Sequence, residues 1–384
     1  MLDVLIIGAG PAGAVAATVL ARAGVTVRLV DRARFPREKL CGDTINPGTL
    51  AILDRLGLGT GIRERGMPIA GWRLTGESGV QVSTRYGPKV EGRAISRRDL
   101  DWLLLRGALA AGAQFDEGTV ANEAIWDPLA GRVAGARIGR PGGPLMPLQS
   151  RVTIAADGRR SRLAFSLGLA RHPARPRRWA IGSYWDDVEG LSEFGEMHVR
   201  RQYYIGVAQL PGGIANACLV RPWSARRGAW TDPEILLKQT IASDPELRER
   251  FSRARRIAPV VSLGPLAVDV RDAGLPGLLL AGDAAGFIDP MTGDGLRFAV
   301  RGGELAAEAA LEALGGDPFA HCQLTKRRVN EFVRKWRFNR AVRALVGSAT
   351  GVRLASATAG LFPEAIARLI VRAGDVDLRS NGPA

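Results

Sequence analysis

Residues 4–13 read Val-Leu-Ile-Ile-Gly-Ala-Gly-Pro-Ala-Gly, an apolar β-rich run that passes directly into a glycine-rich turn. A helical pattern follows and stops at Gly24, and a second apolar run ends on Asp31. This order and spacing are typical of a βαβ unit that binds a dinucleotide, with the pyrophosphate at the helix N-terminus and the acid on a ribose. The dinucleotide contacts predicted from this unit are Gly8, Gly10, Pro11, Ala12, Gly13 and Asp31.

The composition of the 384-residue chain excludes several other classes of protein. A hydrophobic fraction of 46% provides for a sizeable core and argues against disorder. Three cysteines and three histidines, mostly far apart, supply neither a disulfide framework nor a standard metal motif, so no metal is expected. The net charge of +15 is compatible with nucleic acid, a membrane surface or an acidic ligand, but no nucleic-acid motif accompanies it, and we expect no nucleic-acid partner.

No signal peptide or membrane span is expected from the sequence. Asp3 stands where a secretory leader would carry a basic residue, so the first apolar run is interpreted as a strand. The uncharged stretch 202–220 is interrupted by Pro211-Gly212-Gly213, which predicts two strands joined by a turn. These features favour a cytoplasmic protein, either free or peripheral to a membrane.

A second glycine-rich corner lies near residue 280. Leu278-Leu279-Leu280-Ala281 predicts a buried strand, followed by Gly-Asp-Ala-Ala-Gly-Phe-Ile-Asp-Pro-Met-Thr-Gly-Asp-Gly over 282–295 and then a helix. A nicotinamide dehydrogenase needs no such element, whereas FAD needs one at its far end. Here the sequence resembles the FAD-dependent family with the p-hydroxybenzoate hydroxylase fold. The resemblance implies that Asp283 hydrogen-bonds the ribityl chain, that Pro290 lies against the flavin ring, and that Gly293 and Gly295 face its pyrimidine edge; Gly282 is also assigned to the cofactor.

Two further segments resemble elements of the same family. Ala156-Asp157-Gly158 with Ser161 is similar to its ADGxxS element, and Arg97 with Leu100 and Asp101 is similar to its RxxLD helix start. The resemblance implies that Asp157 and Arg97 contact FAD, the arginine through the phosphates. Taken singly, the first is equally an ordinary turn and the second an ordinary residue beside a helix cap.

The stretch after Asp31 indicates a branch of the family. Phe-Pro-Arg-Glu-Lys-Leu-Cys-Gly-Asp over 35–43 resembles the geranylgeranyl reductase-like branch, in which a Cys-Gly turn lies beside the flavin. Cys41 and Gly42 are therefore expected at the cofactor, although a free cysteine is ordinarily a small buried residue and no histidine is near to activate this one. Arg32 is assigned to the cofactor. The basic cluster to which it belongs is either exposed to solvent or neutralises phosphates; its members are Arg32, Arg34, Arg37 and Lys39.

The family signatures for two specific reactions are absent. The reductases often carry an aromatic YxWxFP-like strand, and this chain has Tyr203-Tyr204-Ile205-Gly206 with Pro211 further on. The WxWxIP signature of flavin-dependent halogenases is also missing. The prenyl substrate is therefore an open question at this stage, and halogenation ranks behind reduction and hydroxylation.

The predicted fold class is α/β, with a Rossmann-like FAD-binding domain, an inserted and mostly antiparallel β-sheet domain for the substrate, and C-terminal helices. The FAD-binding domain is assigned to 1–70, 94–170 and 262–320. The sheet domain is assigned to 71–93 and 171–261, and the helical region to 321–384. The substrate is expected in the crevice between the flavin and this sheet.

The run 326–343 is rich in lysine and arginine and carries Val329, Phe332 and Trp336 near one helical face, and Pro363 to Ala373 shows a second helical pattern. One interpretation is a helix pair that packs on the flavin domain. The other is a peripheral membrane contact that delivers a lipid-soluble substrate.

The leading functional hypothesis is a reductase that transfers hydride from reduced FAD to a C=C bond of an apolar, isoprenoid-type substrate. The alternative is a monooxygenase acting on an aromatic or quinone-like substrate, and a halogenase or a protein that has lost turnover ranks third. Cys41, Asp43 and Pro290 are the candidate catalytic residues, and Asp289 and Asp294 are further candidates for proton handling. NAD(P)H, bound transiently, and an acidic ferredoxin-like protein both remain candidate electron donors.

Overall fold

The predicted strand, turn and helix are all present in the computed structural model, which describes residues 2–175, 177–223 and 232–374. They are β1 (Leu2–Ile7), α1 (Pro11–Arg22) and β2 (Val27–Asp31). β1 and β2 consist largely of β-branched and leucine side chains that are buried, and α1 begins with proline at its first position, where no backbone N–H is needed.

The remaining strands in the described residues follow in chain order: β3 (Thr44–Ile45), β4 (Met67–Ile69), β5 (Gly71–Thr75), β6 (Gln81–Arg85), β7 (Gly92–Ala94), β8 (Gln114–Glu117), β9 (Val120–Asp127), β10 (Arg132–Gly139), β11 (Met146–Ala155), β12 (Ala170–Arg171), β13 (Arg178–Asp186), β14 (Phe194–Val199), β15 (Tyr204–Gln209), β16 (Ala215–Pro222), β17 (Arg255–Arg256), β18 (Val261–Leu263), β19 (Asp269–Val270), β20 (Gly274–Leu275) and β21 (Leu278–Leu280). The remaining α-helices are α2 (Pro47–Arg55), α3 (Thr60–Arg65), α4 (Arg97–Ala110), α5 (Arg162–Ser166), α6 (Pro233–Ser243), α7 (Gly295–Leu314), α8 (Ala320–Val346), α9 (Ala349–Leu361) and α10 (Pro363–Ala373).

The first sheet carries both glycine-rich corners. Its strand order is β20-β21-β11-β1-β2-β8, and β1 pairs in parallel with β2 on one side and β11 on the other. β11 in turn pairs in parallel with β21. Because the carboxyl ends of β1, β11 and β21 lie at one edge, the turns that follow them meet there, as ligand-binding turns do in α/β sheets.

The second sheet is mostly antiparallel and has the order β17-β13-β16-β15-β14-β5-β6, with β18 also paired to β13. The hairpin expected in the uncharged stretch is confirmed, since β15 pairs with β16 from Tyr204 opposite Val220 to Gln209 opposite Ala215. β14 and β5 form a parallel pair. The strands of this sheet come from 71–85 and 178–263; the division into separate domains remains a prediction.

The long helix α7 lies against α1 at the core of the first sheet. A side chain at Gly303 of α7 would place its Cβ 2.3 Å from the carbonyl oxygen of Ala12, so glycine is what lets the two helices approach. Phe298 of α7 and Phe332 of α8 meet edge to face, with ring centroids 5.1 Å apart.

The apolar residues of the basic run 326–343 therefore face the interior in part. Phe332 is buried in the core and Trp336 packs against it, while Arg328 is also buried. Among the described residues, no helix combines the length and the apolar character that crossing a bilayer requires.

Candidate active site

A cleft of about 640 Å³ lies between the carboxyl edge of the first sheet and one face of the second sheet. Of the predicted cofactor residues, Gly8, Gly10, Pro11, Ala12, Asp31, Arg32, Cys41, Gly42, Arg97, Asp157, Gly282, Asp283, Pro290, Gly293 and Gly295 line this cleft. Four separated segments of chain thus meet around one space, in the order that the resemblance implies. Gly13 and Asp43 are not part of the lining and act from behind it.

The first corner requires glycine for reasons of space. Gly8 has φ of 99°, and a Cβ there would lie 2.5 Å from the carbonyl oxygen of Ala156. A Cβ at Gly13 would lie 1.8 Å from the carbonyl oxygen of Gly8. Glycine at position 13 therefore allows the backbone of α1 to approach Gly8 closely, although Gly13 does not face the cleft.

Asp31 fixes the same corner through its carboxylate. Its Oδ2 accepts a hydrogen bond from the Ala9 N–H at 2.8 Å, and its Oδ1 accepts one from the Ala33 N–H at 2.8 Å. The N-terminus of α1 has no side-chain cap, so its dipole and free N–H groups are directed at the cleft. This is the arrangement that binds an anionic phosphate.

Three cations follow the cleft from this corner. Arg97 forms a two-bond ion pair with the buried Asp101, at 2.8 Å and 2.9 Å, and Arg37 contacts the same carboxylate at 2.8 Å. Lys39 lies beside them, and burial together with the neighbouring Arg97 lowers its pKa. One carboxylate contacts two arginines here, so the local charge is positive and suits a pyrophosphate.

The segment after β11 supplies an acceptor in the cleft. Burial raises the pKa of Asp157 to about 6, and its buried Oδ1 has no hydrogen-bond partner among the described residues. An unpartnered buried oxygen is costly unless a ligand satisfies it. The neighbouring Arg159 and Arg160 also line the cleft, where they donate to the carbonyls of Gly264 and Pro265. No sequence signal marked these two arginines as cleft residues.

The second corner is held by a buried arginine from α8. Asp283 stands in a single helical turn over Gly282–Ala285, and Arg328 donates to the carbonyl oxygen of Ala285 at 2.8 Å. Pro290 begins a second such turn, which ends at Gly293 in the left-handed region with φ of 70°. The N-terminal end of α7, at Gly295, then faces the cleft.

The loop of Cys41 and Asp43 ties the two sheets together. Asp43 has a left-handed φ of 54° and is fully buried; its Oδ2 accepts from the Tyr184 hydroxyl at 2.7 Å and from the Asn216 amide at 2.8 Å. The same amide donates to the carbonyl oxygen of Cys41 at 3.0 Å. Burial raises the pKa of Asp43 to about 7, and its Oδ1 is buried without a described partner.

Cys41 lines the cleft, and burial raises the pKa of its thiol. A raised pKa disfavours the thiolate, so the local environment is that of a packing residue more than that of a nucleophile.

The two other candidate aspartates have cationic partners. Asp289 contacts Arg178 at 3.2 Å and accepts from the Tyr204 hydroxyl at 2.6 Å. Asp294 contacts Lys335 at 2.7 Å and accepts from Asn339 at 2.9 Å, and burial raises its pKa in spite of the lysine. Asp289 therefore connects the second sheet to the second corner, and Asp294 connects α8 to it.

A second, apolar cavity of about 210 Å³ adjoins the cleft. Thr44, Trp72, Met197 and Gly293 line both spaces, so the two communicate beside the second corner. The wall of the apolar cavity comes from the second sheet and, in addition, from α8, α9 and α10; the apolar side chains among its lining are Ile45, Ile69, Trp72, Leu74, Val80, Val82, Met197, Val199, Met291, Phe338, Val342, Leu345, Val346, Val352, Ala355, Ile366, Leu369, Ile370 and Ala373. The helical contribution was not foreseen, although the spacing of Ile366, Leu369 and Ile370 had marked a helix face.

The cleft fits FAD, since it combines an uncapped helix N-terminus, paired cations and the unpartnered Asp157 oxygen in one continuous space. In the described residues no cluster of histidine, cysteine or acidic side chains could hold a metal ion. A chain with this fold and this cleft is an FAD-dependent oxidoreductase.

Comparison with known proteins places the chain more narrowly. The family model for the FAD binding domain matches residues 1–317. The chain is 31% identical to menaquinone reductase of Mycolicibacterium smegmatis over 80% of its own length and 75% of the relative's. It is also 31% identical to digeranylgeranylglycerophospholipid reductase 1 of Methanopyrus kandleri, over 82% of each chain. The chain belongs to the geranylgeranyl reductase-like family of FAD-dependent oxidoreductases, and both the family and the fold class predicted from sequence are confirmed.

Solved structures agree on the fold. A geranylgeranyl bacteriochlorophyll reductase-like protein from Thermoplasma acidophilum superposes with a TM-score of 0.78 at 24% identity, covering 91% of this chain and 89% of that one. A flavin-dependent brominase superposes with a TM-score of 0.82 at 20% identity, covering 97% and 93%. One fold therefore serves reductases and halogenases, and the reaction must be argued from the site.

Proposed function

We propose that this protein uses reduced FAD to saturate a C=C bond in an isoprenoid-type substrate. The observation that carries the proposal is the apolar cavity that opens into the flavin cleft beside Trp72 and Gly293. The two reductases that the chain resembles at 31% identity support the same class of substrate, by their names.

The lining of the cavity favours a hydrocarbon chain over a polar ligand. Its polar side chains are Thr44, Asn46, Arg73, Thr75, Tyr86 and Thr292, and Arg73 contacts Glu196 at 3.6 Å; the remainder is mainly aliphatic or aromatic. Each methylene transferred from water to such a wall contributes about 0.8 kcal/mol. The affinity for a polyprenyl chain therefore increases with its length, while its reacting end reaches Gly293 at the boundary with the cleft.

FAD, when bound and reduced, supplies a hydride equivalent. The protein must position the substrate, exclude water from the site and provide a proton. Trp72, Met197 and Gly293 bring the substrate to the cleft and exclude water. A proton is available at the Asp43 carboxyl, which lies directly behind Gly42 and Thr44 of the cleft lining and retains the proton near neutral pH because burial raises its pKa to about 7. Asp289 and Asp294 contact Arg178 and Lys335, whereas no ion pair to Asp43 occurs in the described part of the chain.

Electrons reach the flavin from an anionic donor in this proposal. Arg32, Arg159 and Arg160 surround one end of the cleft and carry no carboxylate partner among the described residues. The cluster is suited both to the phosphates of NAD(P)H and to an acidic protein. Comparing the rates at which NAD(P)H and a reduced ferredoxin-like protein reduce the bound FAD decides between them.

The decisive experiment follows the reduced flavin in the absence of oxygen. The FAD-loaded protein is reduced photochemically, mixed with polyprenyl compounds or aromatic phenols, and monitored at the flavin absorbance band. We expect polyprenyl compounds to reoxidise the flavin anaerobically and to gain two hydrogens by mass spectrometry. Reoxidation that requires oxygen together with a phenol, and yields a hydroxylated product, would establish the monooxygenase instead.

A cavity-filling variant provides the matched control. Val82→Trp narrows the apolar cavity, and Leu129→Trp places the same side chain on a fully exposed turn. We expect the first to slow anaerobic reoxidation by long polyprenyl chains more than by short ones, and the second to leave both unchanged. Equal rates for Val82→Trp and the wild type would remove the cavity from the proposal.

A further inference from the structure

We infer that the outer face of α9 and α10 binds an anionic lipid bilayer, and that the apolar cavity takes its substrate directly from that bilayer. The second half of this inference rests on the proposed function, whereas bilayer binding does not. This face, the α9–α10 face, is defined by Arg353, Leu354, Leu361, Phe362, Arg368, Leu369 and Arg372.

Large apolar side chains are exposed together on this face. Leu354 is 62% exposed, Leu361 74%, Phe362 61% and Leu369 45%. Leu354 and Leu361 are seven residues apart on α9, and Leu361 and Phe362 form the corner where α9 passes into α10. Four large exposed apolar side chains on one pair of short helices are uncommon on a surface that contacts only water.

The charge on the same face is mainly positive, with the exposed Glu364 3.9 Å from Arg368 as its one acidic group among the described residues. Arg368 and Arg372 lie four residues apart on the exposed side of α10, next to Leu369, and Arg353 adjoins Leu354 on α9. Between residues 337 and 374 the chain has six arginines and a single acidic residue, Glu364. Basic residues around an apolar face complement the anionic headgroups and the acyl region beneath them.

The α9–α10 face is continuous with the apolar cavity. Leu369 lines the cavity and is 45% exposed, and Leu345 at the end of α8 also lines it and is 41% exposed. Ala355 of α9 and Ile366 and Ile370 of α10 line the same cavity from within. The helices that carry the α9–α10 face are therefore also a wall of the cavity, and in this inference a hydrocarbon chain enters between them and extends toward Gly293.

A bilayer is favoured over a protein partner because the face combines exposed apolar side chains with arginines, and its two helices also wall the apolar cavity. A polyprenyl chain long enough to use this cavity partitions strongly out of water, because every methylene adds apolar surface. A protein that covered the α9–α10 face would block entry beside Leu345 and Leu369, whereas a bilayer would both cover the face and supply the substrate.

The test measures flotation of the FAD-loaded protein with vesicles. Vesicles of phosphatidylcholine alone are compared with vesicles that also contain phosphatidylglycerol, at low and high salt. We expect binding to the anionic vesicles that weakens with salt, and a loss of roughly tenfold or more in the double variant Leu361→Ser with Phe362→Ser. The matched control, Trp126→Ser with Leu129→Ser, removes two exposed apolar residues from the β9 end and should bind like the wild type.

Two outcomes would overturn the inference. One is equal binding, or no binding, of the wild type and the Leu361/Phe362 double variant. The other is a lipid-free dimer that dissociates in that double variant, because a second copy would then cover the face. Retained FAD absorbance and an unchanged melting temperature exclude misfolding as the reason for lost binding.

Activity separates this inference from the proposed function. With substrate dispersed in detergent the Leu361/Phe362 variant should turn over normally, and with substrate in anionic vesicles it should be slow. If no polyprenyl compound reoxidises the flavin in either medium, the reductase proposal fails while the flotation result stands on its own.

Discussion

Asp43 shows how one side chain joins the two sheets of this protein. Its backbone is left-handed, its carboxyl group is buried, and its two described partners, Tyr184 and Asn216, come from β13 and β16 of the second sheet. Asn216 also holds the carbonyl of Cys41, which lies in the cleft. A change of charge at Asp43 therefore acts on the loop beside the cofactor.

Substitution of Asp43 by asparagine should flatten the pH dependence of stability. The wild-type native state keeps a proton that the unfolded state releases from about pH 3.8 upwards, so stability falls as pH rises until the native carboxyl ionises near pH 7. The loss amounts to the order of a few kcal/mol. Urea unfolding of Asp43→Asn between pH 4 and 8 should lack most of this fall, while the exposed control Asp272→Asn should keep it. Parallel curves for Asp43→Asn and the wild type would contradict the raised pKa.

Gly13 and Gly42 are expected to respond differently to a side chain. A Cβ at Gly13 would overlap the carbonyl of Gly8, so Gly13→Ala should destabilise the protein and abolish FAD binding. A Cβ at Gly42 has no atom within 4 Å, so Gly42→Val should leave the apoprotein's melting temperature nearly unchanged and weaken FAD binding by filling the cleft. Titration with FAD and thermal melting test both variants. Full FAD affinity in Gly42→Val would show that the cofactor does not approach this turn.

At the scale of the element, α8 supports the second corner. Its Arg328 is buried, contacts the ring of Phe332 and donates to Ala285, and its Lys335 and Asn339 bind Asp294 at the start of α7. The basic run, for which the sequence allowed both packing on the flavin domain and a membrane contact, is thus partly a buried support for the flavin turn. Charge pattern did not reveal this, because which arginine of a basic run is buried depends on what packs against the helix.

Arg328→Met should lower both stability and FAD affinity. The substitution keeps most of the volume but leaves the carbonyl of Ala285 without its donor, at a cost of about 1–3 kcal/mol, and it loosens the turn that carries Asp283. Arg334→Met, at an exposed position of the same helix, serves as the control. FAD affinity is measured by quenching of flavin fluorescence. An Arg328→Met protein that binds FAD as tightly as the control would show that α8 does not support the second corner.

At the scale of the whole molecule, the cleft is built from segments that are more than a hundred residues apart in the chain. The turns after β1, β11 and β21 meet because those three strands are parallel neighbours in one sheet. A ligand that contacts all of them stabilises long-range contacts, and so the whole fold.

FAD should therefore raise the melting temperature more than FMN does. Saturation at about a thousand times the dissociation constant adds about 4 kcal/mol, which corresponds to a shift of roughly 5 °C or more. FMN lacks the adenosine part that would reach Gly8 and Asp31, so its shift at equal concentration should be much smaller. Thermal melting followed by circular dichroism measures both shifts. Equal shifts would mean that only one corner binds the cofactor.

Local sequence was sufficient for the elements that hold the cofactor. The strand, the glycine turn, α1 and Asp31 were predictable because steric limits on the turn and helix-end electrostatics act over a few residues. The same holds for the hairpin at 211–213 and for the start of α7. The resemblance to a known family placed Asp157, Arg97 and Cys41 at the cleft, which no spacing rule would have done.

The apolar cavity, the burial of Arg328, the partners of Asp43 and the exposure of the α9–α10 face were decided by tertiary structure alone. Each depends on contacts between residues far apart in the chain, such as Asp43 with Tyr184 or Met197 with the terminal helices. Periodicity marks which face of a helix is apolar, but whether that face meets a sheet, a cavity or the surface is set by packing. For this physical reason the cofactor site was predictable from the sequence, whereas the substrate cavity could be identified only from the tertiary structure.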